Sequence, residues 1–158
     1  NMGDDTLYSG TVAAAMVRHL FNIPAIAFSL VERGWEFLDT AKHVARQVVQ
    51  MCQREALTAG TLLNVNIPNV SKHALQGMRV TRLGKRHPSE PVIKSATPYG
   101  EPVYWIGPVG KIRDATADTD FGAIADLSVS ITPLRFDLTS YDELSSITQW
   151  INENETAV

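Results

Sequence analysis

Two short apolar runs, PAIAFSL at residues 24–30 and TLLNVNIP at 61–68, decide how this chain folds. The first is nearly continuous after Pro24 and too short for an isolated helix, the pattern of a parallel strand covered on both faces. The second alternates Leu63, Val65 and Ile67 against Asn64 and Asn66, the two-residue period of a strand with unlike faces, and Pro68 discourages its continuation. Between them Phe37, Leu38, Ala41, Val44, Ala45, Val48 and Cys52 form one stripe, so a long helix is expected to cover the sheet. Upstream, NMGDDTLYSGTVAAAMVRHL at 1–20 begins as a loop and becomes helical at Ser9 or Gly10, with Val12, Met16 and Leu20 at one-turn spacing and Ser9 as the natural N-cap. Helix, strand, helix and strand joined by short links imply βαβ packing with right-handed crossovers. The first helix has no strand before it, and two strands cannot readily cover two helices and supply their own edges. Further strands are therefore expected upstream or in another chain.

The character changes at Gly77. GMRVTRLG is followed by PVIKSATPYGEPVYWIG, in which two extended runs flank the turn-rich TPYGE and predict a projecting β-hairpin. Val92, Val103, Tyr104, Trp105 and Ile106 place more apolar surface on that ribbon than water tolerates, which calls for packing on another subunit. LSVSITPLRF supplies a further strand. Near the end, Ser140 with Glu143 has the form of a capping box, and Leu144, Ile147, Trp150 and Ile151 share one helical face.

The 158 residues carry 14 Lys+Arg against 17 Asp+Glu, a net charge of -3, with 44% hydrophobic residues, which suits one compact globular domain or part of one. A single cysteine, Cys52, excludes an internal disulfide framework and fits a reducing, cytoplasmic compartment. No apolar run approaches the roughly 18 residues that span a bilayer, and the opening residues lack a basic-then-apolar signal pattern. No membrane role is expected. Basic residues are scattered and outnumbered, and the cluster Arg79, Arg82, Lys85, Arg86 and His87 lacks interleaved aromatics, so binding to duplex nucleic acid is not expected.

The most informative local constellation is YSGTV at 8–12. Orphan amides and the helix dipole favour an anion at a helix start, Gly10 removes a side chain that would block close approach, and Ser9 and Thr11 add hydroxyl donors. A phosphate pocket is one reading; a plain Ser9 cap with Thr11 in the first turn is the other. Neither GxxxxGK[ST] nor GxGxxG occurs, so the two familiar nucleotide loops are unsupported. Asp4 and Asp5 could offer hard oxygen ligands to Mg²⁺ or Mn²⁺, or could be solvated loop carboxylates. Asp114, Asp118 and Asp120 fit no EF-hand spacing and suit turn formation. His19, His43, His73 and His87 have no ligand spacing, Cys52 has no neighbouring base, and YSGT is not a GxSxG elbow.

Taken together, NMGDDTLYSGTVAAAM, PAIAFSL, TLLNVNIP, MRVTRLGKRHP, YWIGP, TDFGAIADLSVSITPL and DLTSYDEL resemble, in order and separation, the SurE family of metal-dependent nucleoside monophosphate phosphatases, or 5'/3'-nucleotidases. The resemblance implies an α/β, three-layer Rossmann-like fold, with an extended β-hairpin used in oligomerisation and a C-terminal helical arm exchanged between subunits. It implies residues 1–76 as the later part of the Rossmann-like core, 77–136 as a β-rich oligomerisation region and 137–158 as the arm. It further implies a homodimer or homotetramer and a nucleoside monophosphate substrate. The family's metal site uses an adjacent Asp pair near its N-terminus, a Ser after a following strand, and an Asn in an SGxNxGxN stretch. This chain aligns from the second Asn of that stretch. Asn1 is then site-proximal, Asp4 and Asp5 are not the family's ligand pair, and no metal ligand or securely assigned catalytic residue falls in this chain.

Ser9, Gly10 and Thr11 match the YSGT segment that meets the phosphate, and Asp120 matches a TD motif near the site. The expectation is therefore a carboxy-terminal portion of the fold, incomplete at the N-terminus. It would be inactive alone in releasing phosphate with Mg²⁺ or Mn²⁺. The alternative is a non-catalytic oligomerisation or anion-binding module.

Overall fold

The computed structural model describes residues 1–32 and 34–155; residues 156–158 of the expected arm, and the His19 side chain, lie outside the described residues. After a 3₁₀ turn over Gly3–Tyr8, α1 (Gly10–His19) leads to β1 (Ala25–Leu30), α2 (Leu38–Arg54) and β2 (Leu62–Ile67). The chain continues through β3 (Met78–Val80), β4 (Lys85–Arg86), β5 (Ile93–Ala96), β6 (Pro102–Trp105), β7 (Ile112–Asp114), α3 (Asp120–Ala125), β8 (Val129–Leu134) and α4 (Leu144–Glu155). Both deciding runs are strands, and they pair in parallel from Ala25 with Leu62 to Leu30 with Ile67.

Two further strands of the sheet come from later in the chain. The order is β1-β2-β8-β3, with β8 antiparallel to β2 and parallel to β3. The hairpin and the short β4–β7 pair form separate two-stranded ribbons.

Helices cover both faces of this sheet. On one, Val12 and Ala15 of α1 pack on Ala25, Ala27 and Leu62. On the other, Val44 and Val48 of α2 bury against Val65, Ile67 and Val129, with Ile26, Phe28 and Ile131 around them. Strand alternation sorts the residues: Leu63, Val65 and Ile67 point to the α2 face, and Leu62, Asn64 and Asn66 to the α1 face.

The α1 face is not apolar throughout. Register places Ala27, Asn64 and Thr132 side by side, then Ser29, Asn66 and Ser130 in the next row. Asn64, Asn66, Ser130 and Thr132 are buried, and Thr81 bonds across to Ser130 Oγ at 2.8 Å and Thr132 Oγ1 at 2.7 Å. A polar belt thus crosses the sheet beyond the end of the α1 core.

One detail departs from the sequence expectation. Ser140 makes no side-chain cap bond; it precedes a 3₁₀ turn at Tyr141–Glu143, and α4 starts only at Leu144. The Asp137 carboxylate organises that corner instead, accepting from Thr139 N at 2.9 Å and Tyr141 Oη at 2.6 Å. Leu144, Ile147, Trp150 and Ile151 are exposed along α4, as are Ile93, Tyr104 and Trp105 on the hairpin. No helix among the described residues is long and apolar enough to cross a membrane.

Ile67 lies at 1% exposure between β1 and the α2 core. Ile67→Ala should cost about 2–5 kcal/mol of stability through lost burial plus a cavity. Equilibrium urea unfolding checks this, and a loss below about 1 kcal/mol would contradict the burial.

Candidate functional site

The polar belt lies near the carboxyl ends of β1 and β2, where open α/β sheets place their ligand crevices. The segment before α1 is laid across this edge and fastened at several points. Asn1 Nδ2 donates to Ser29 Oγ at 2.6 Å, and the Asn1 carbonyl accepts from Asn64 Nδ2 at 2.8 Å and Asn66 Nδ2 at 3.1 Å. Gly3 N donates to Asp120 Oδ2 at 2.6 Å. Asp4 and Asp5 then turn to Arg86: its backbone N–H donates to Asp4 Oδ2 at 3.1 Å and its Nε to Asp5 Oδ2 at 2.8 Å.

Asp120 is fully buried at the start of α3 and accepts three backbone amides: Gly3 on Oδ2, Gly84 at 2.8 Å and Phe121 at 2.9 Å on Oδ1. Glycine at the first two positions is a steric requirement. A Cβ on Gly84 would lie 2.5 Å from the Phe121 ring and 2.6 Å from the Asp114 carbonyl oxygen. One on Gly3 would lie 2.6 Å from the same ring, at a φ of +53° that side chains rarely adopt. The Arg86 guanidinium stacks 4.7 Å from the Phe121 ring centre, closing the junction from above.

The helix start is built as the sequence indicates. Ser9 is buried, its Oγ accepts from Val12 N at 3.1 Å, and its carbonyl accepts from Ala13 N at 2.9 Å. Inside α1 the amides of Gly10 and Thr11 have no carbonyl a turn earlier to bond. Both residues are exposed, and the space where a Gly10 side chain would stand holds no atom within 4 Å.

The basic cluster has an internal use. Arg79 pairs with Asp126 at 2.7 Å, Arg82 with Asp114 at 2.7 Å and Asp118 at 2.6 Å, and Arg86 with Asp5. Arg82 and Thr116 hold the Asp114 carboxyl at about 2, below its ordinary 3.8, and Thr116 with Arg82 lowers Asp118 as well. The two aspartates raise Arg82 in turn. These partners, and the convergence of Gly3, Gly84 and Asp120, lie outside what the sequence reading found. The available signal was a set of arginines matched by nearby aspartates, with glycines beside them.

The carboxylates described here do not converge on a cation site. Asp5, Asp114 and Asp118 pair with arginines, Asp4 and Asp120 accept backbone amides, and the buried side-chain acceptors without a partner among the described residues are the neutral Asn64 Oδ1 and Asn66 Oδ1. Among the described residues no group of three His, Cys, Asp or Glu could hold a metal.

Residues 1–90 match the family model described as Survival protein SurE. The chain belongs to the SurE family. The crystal structure of the SurE protein from Aquifex aeolicus is similar at 40% sequence identity and a TM-score of 0.78, over 95% of this chain and 60% of that one. The expectation of a carboxy-terminal portion lacking the N-terminal part of the fold is corrected by these matches. SurE likeness begins at residue 1 and runs over nearly the whole chain as a Rossmann-type α/β fold. The physical reason is that β8 and β3, from the later sequence, join the sheet that β1 and β2 begin. The chain spans 60% of the length of the Aquifex aeolicus chain.

Asp120→Ala would strand three buried amides at once. A loss on the order of 3 kcal/mol or more is expected by urea unfolding, and a loss within about 1 kcal/mol would refute the junction. The Arg82 latch has its own pH signature. A depressed Asp114 stabilises the loop fully above 3.8, and the contribution is lost as pH falls through about 2. Amide protection factors over residues 114–118, taken relative to intrinsic exchange at each pH, should fall across that window in the native chain. In Arg82→Ala they should already be low at pH 5 and change little.

Proposed function

We propose that this chain belongs to a phosphomonoester hydrolase releasing phosphate from nucleoside 5'- or 3'-monophosphates, with the phosphate seated on the turn of Ser9, Gly10 and Thr11. The observation that carries the reading is the open start of α1: a ten-residue helix capped by Ser9, with Gly10 and Thr11 exposed and no atom near where a Gly10 side chain would stand. Family membership supports it. Gly10 adds a separate argument. A glycine in a helix is less favourable than alanine, and no neighbour among the described residues requires it here. Its small size is explained by the approach of something from outside.

The amides of Gly10 and Thr11, the Thr11 hydroxyl and the positive end of α1 would bind the phosphoryl oxygens and stabilise the negative charge that develops on them during transfer. Ser9 Oγ accepts from Val12, so its own proton remains available to donate outward. Asn1 and Asp120 act nearby by fixing the loop rather than by touching the reacting atoms.

Metal dependence on Mg²⁺ or Mn²⁺ belongs to this reading at the level of the family, with ligands other than the engaged carboxylates described above. For that reason the 158-residue chain alone is expected to bind phosphate with little turnover. The exposed apolar residues of the hairpin and of α4 are proposed as surfaces for assembly into a homodimer or homotetramer in the cytoplasm. They also favour a second reading, a non-catalytic oligomerisation or anion-binding module.

Calorimetric titration with inorganic phosphate tests the turn. Ser9→Ala with Thr11→Ala should weaken binding about tenfold or more, since a hydrogen bond to a charged group contributes about 1.5–3 kcal/mol. Gly10→Ala should weaken it too while leaving stability equal or higher by up to about 1 kcal/mol. Unchanged phosphate affinity in both variants would remove the turn from the site. Phosphate release from nucleoside 5'- and 3'-monophosphates with Mn²⁺ checks the expectation of little turnover: robust release by the isolated chain would contradict it, show that its own residues assemble a reaction centre, and remove the non-catalytic reading.

A further inference from the structure

Asn64 and Asn66 are both fully buried, and in each the Oδ1 has no hydrogen-bond partner among the described residues. Such side chains are unfavourable in a sheet interior, where an apolar residue would pack without orphaned atoms. Their Nδ2 groups nevertheless do one shared thing: both donate to the carbonyl of Asn1. Turning either amide over would set Oδ1 against that carbonyl oxygen, so the observed orientation is the one electrostatics permits.

We propose that Asn64 and Asn66 are positioning residues for the phosphate turn, acting through Asn1; the inference rests on the phosphate reading of Ser9, Gly10 and Thr11. A single donor lets a carbonyl swing about one bond, whereas two donors spaced i and i+2 along β2 fix its direction. With its carbonyl forked and its side chain held by Ser29, Asn1 has a fixed orientation, and Gly3 is pinned to Asp120 two residues later. The 3₁₀ turn that follows runs directly into Ser9, whose N–H donates to Thr6 O at 3.2 Å. The pair lies too deep to touch the anion, so its effect passes along this short segment.

The test replaces the donors while keeping the shape. In Asn64→Asp with Asn66→Asp, a hydrogen bond to the Asn1 carbonyl exists only when the new carboxyl is protonated. Calorimetric titration with inorganic phosphate should give at pH 8 a dissociation constant at least tenfold above the native one. Burial, and in the double variant the second carboxyl beside each, push these groups above the ordinary carboxylate range, so that ratio should fall toward one as pH is lowered to 5. Amide protection over residues 3–9, compared with the native chain at the same pH, should be lower at pH 8 and recover at pH 5, while protection in α2 stays native at both. Should the double variant fail to fold, either single variant carries the same pH test with a smaller ratio. A folded variant whose ratio stays near one, or whose excess is the same at pH 5 and 8, overturns the proposal. If Ser9→Ala with Thr11→Ala weakens phosphate binding and the Asp variant does not, only the positioning role fails. If neither set alters phosphate binding, the phosphate reading fails first.

Discussion

The arrangement of the site depends on one buried carboxylate. Asp120 accepts amides from three segments far apart in the chain: the opening loop at Gly3, the link after β3 at Gly84, and its own helix at Phe121. A buried carboxylate is tolerable only when its oxygens are satisfied, so the three backbones must converge together. That requirement explains the neighbouring glycines. Gly3 and Gly84 lie so near the Phe121 ring that a methyl group on either would force the segments apart. Arg86, stacked on the ring and paired with Asp5, adds a charge-assisted cover over the same junction.

From that junction the order passes in two directions. Toward the sheet, the opening loop meets the polar belt and is fixed by Ser29, Asn64 and Asn66. Toward α1, it delivers Ser9 with its oxygen already aimed at the third residue of the helix. The helix start therefore inherits its position from both the sheet and the Asp120 junction. Electrostatic binding by amide dipoles gains most from such prior fixing, because no reorganisation is needed when charge arrives.

Much of the core was legible from periodicity. The two-residue alternation of TLLNVNIP and the helical stripe of Val44 and Val48 are local properties, and local spacing determines which face each side chain takes. Ser9 as N-cap was legible for the same reason. The sheet order was not, because β8 sits antiparallel beside β2 after more than sixty intervening residues, and pairing at that separation leaves no local mark. The role of Asp120 was hidden similarly: its partners are backbone amides, which carry no residue-specific signature. Ser140 and Glu143 show the opposite failure. The local pattern of a capping box was present, yet the Asp137 contacts with Thr139 and Tyr141 favour a 3₁₀ turn and delay α4 to Leu144.

The hairpin poses a separate physical question, since a two-stranded ribbon outside the main sheet has little burial of its own. Its direction is set at the base. Gly107 and Gly110 pass so close to the carbonyls of Glu90 and His87 that no side chain could stand there, and the crossing chains bond from His87 N to Lys111 O at 2.8 Å and from Glu90 N to Pro108 O at 3.0 Å. Farther out, Lys94 lies over the Tyr104 ring at 5.9 Å, while Ile93 and Trp105 face each other across the ribbon and remain mostly exposed. A base laced through glycines with an apolar length beyond it holds a surface in a fixed direction without burying it. Ordering such a surface in advance lowers the conformational entropy lost when it meets a complementary one, and that is the physical ground for treating the ribbon as an assembly element.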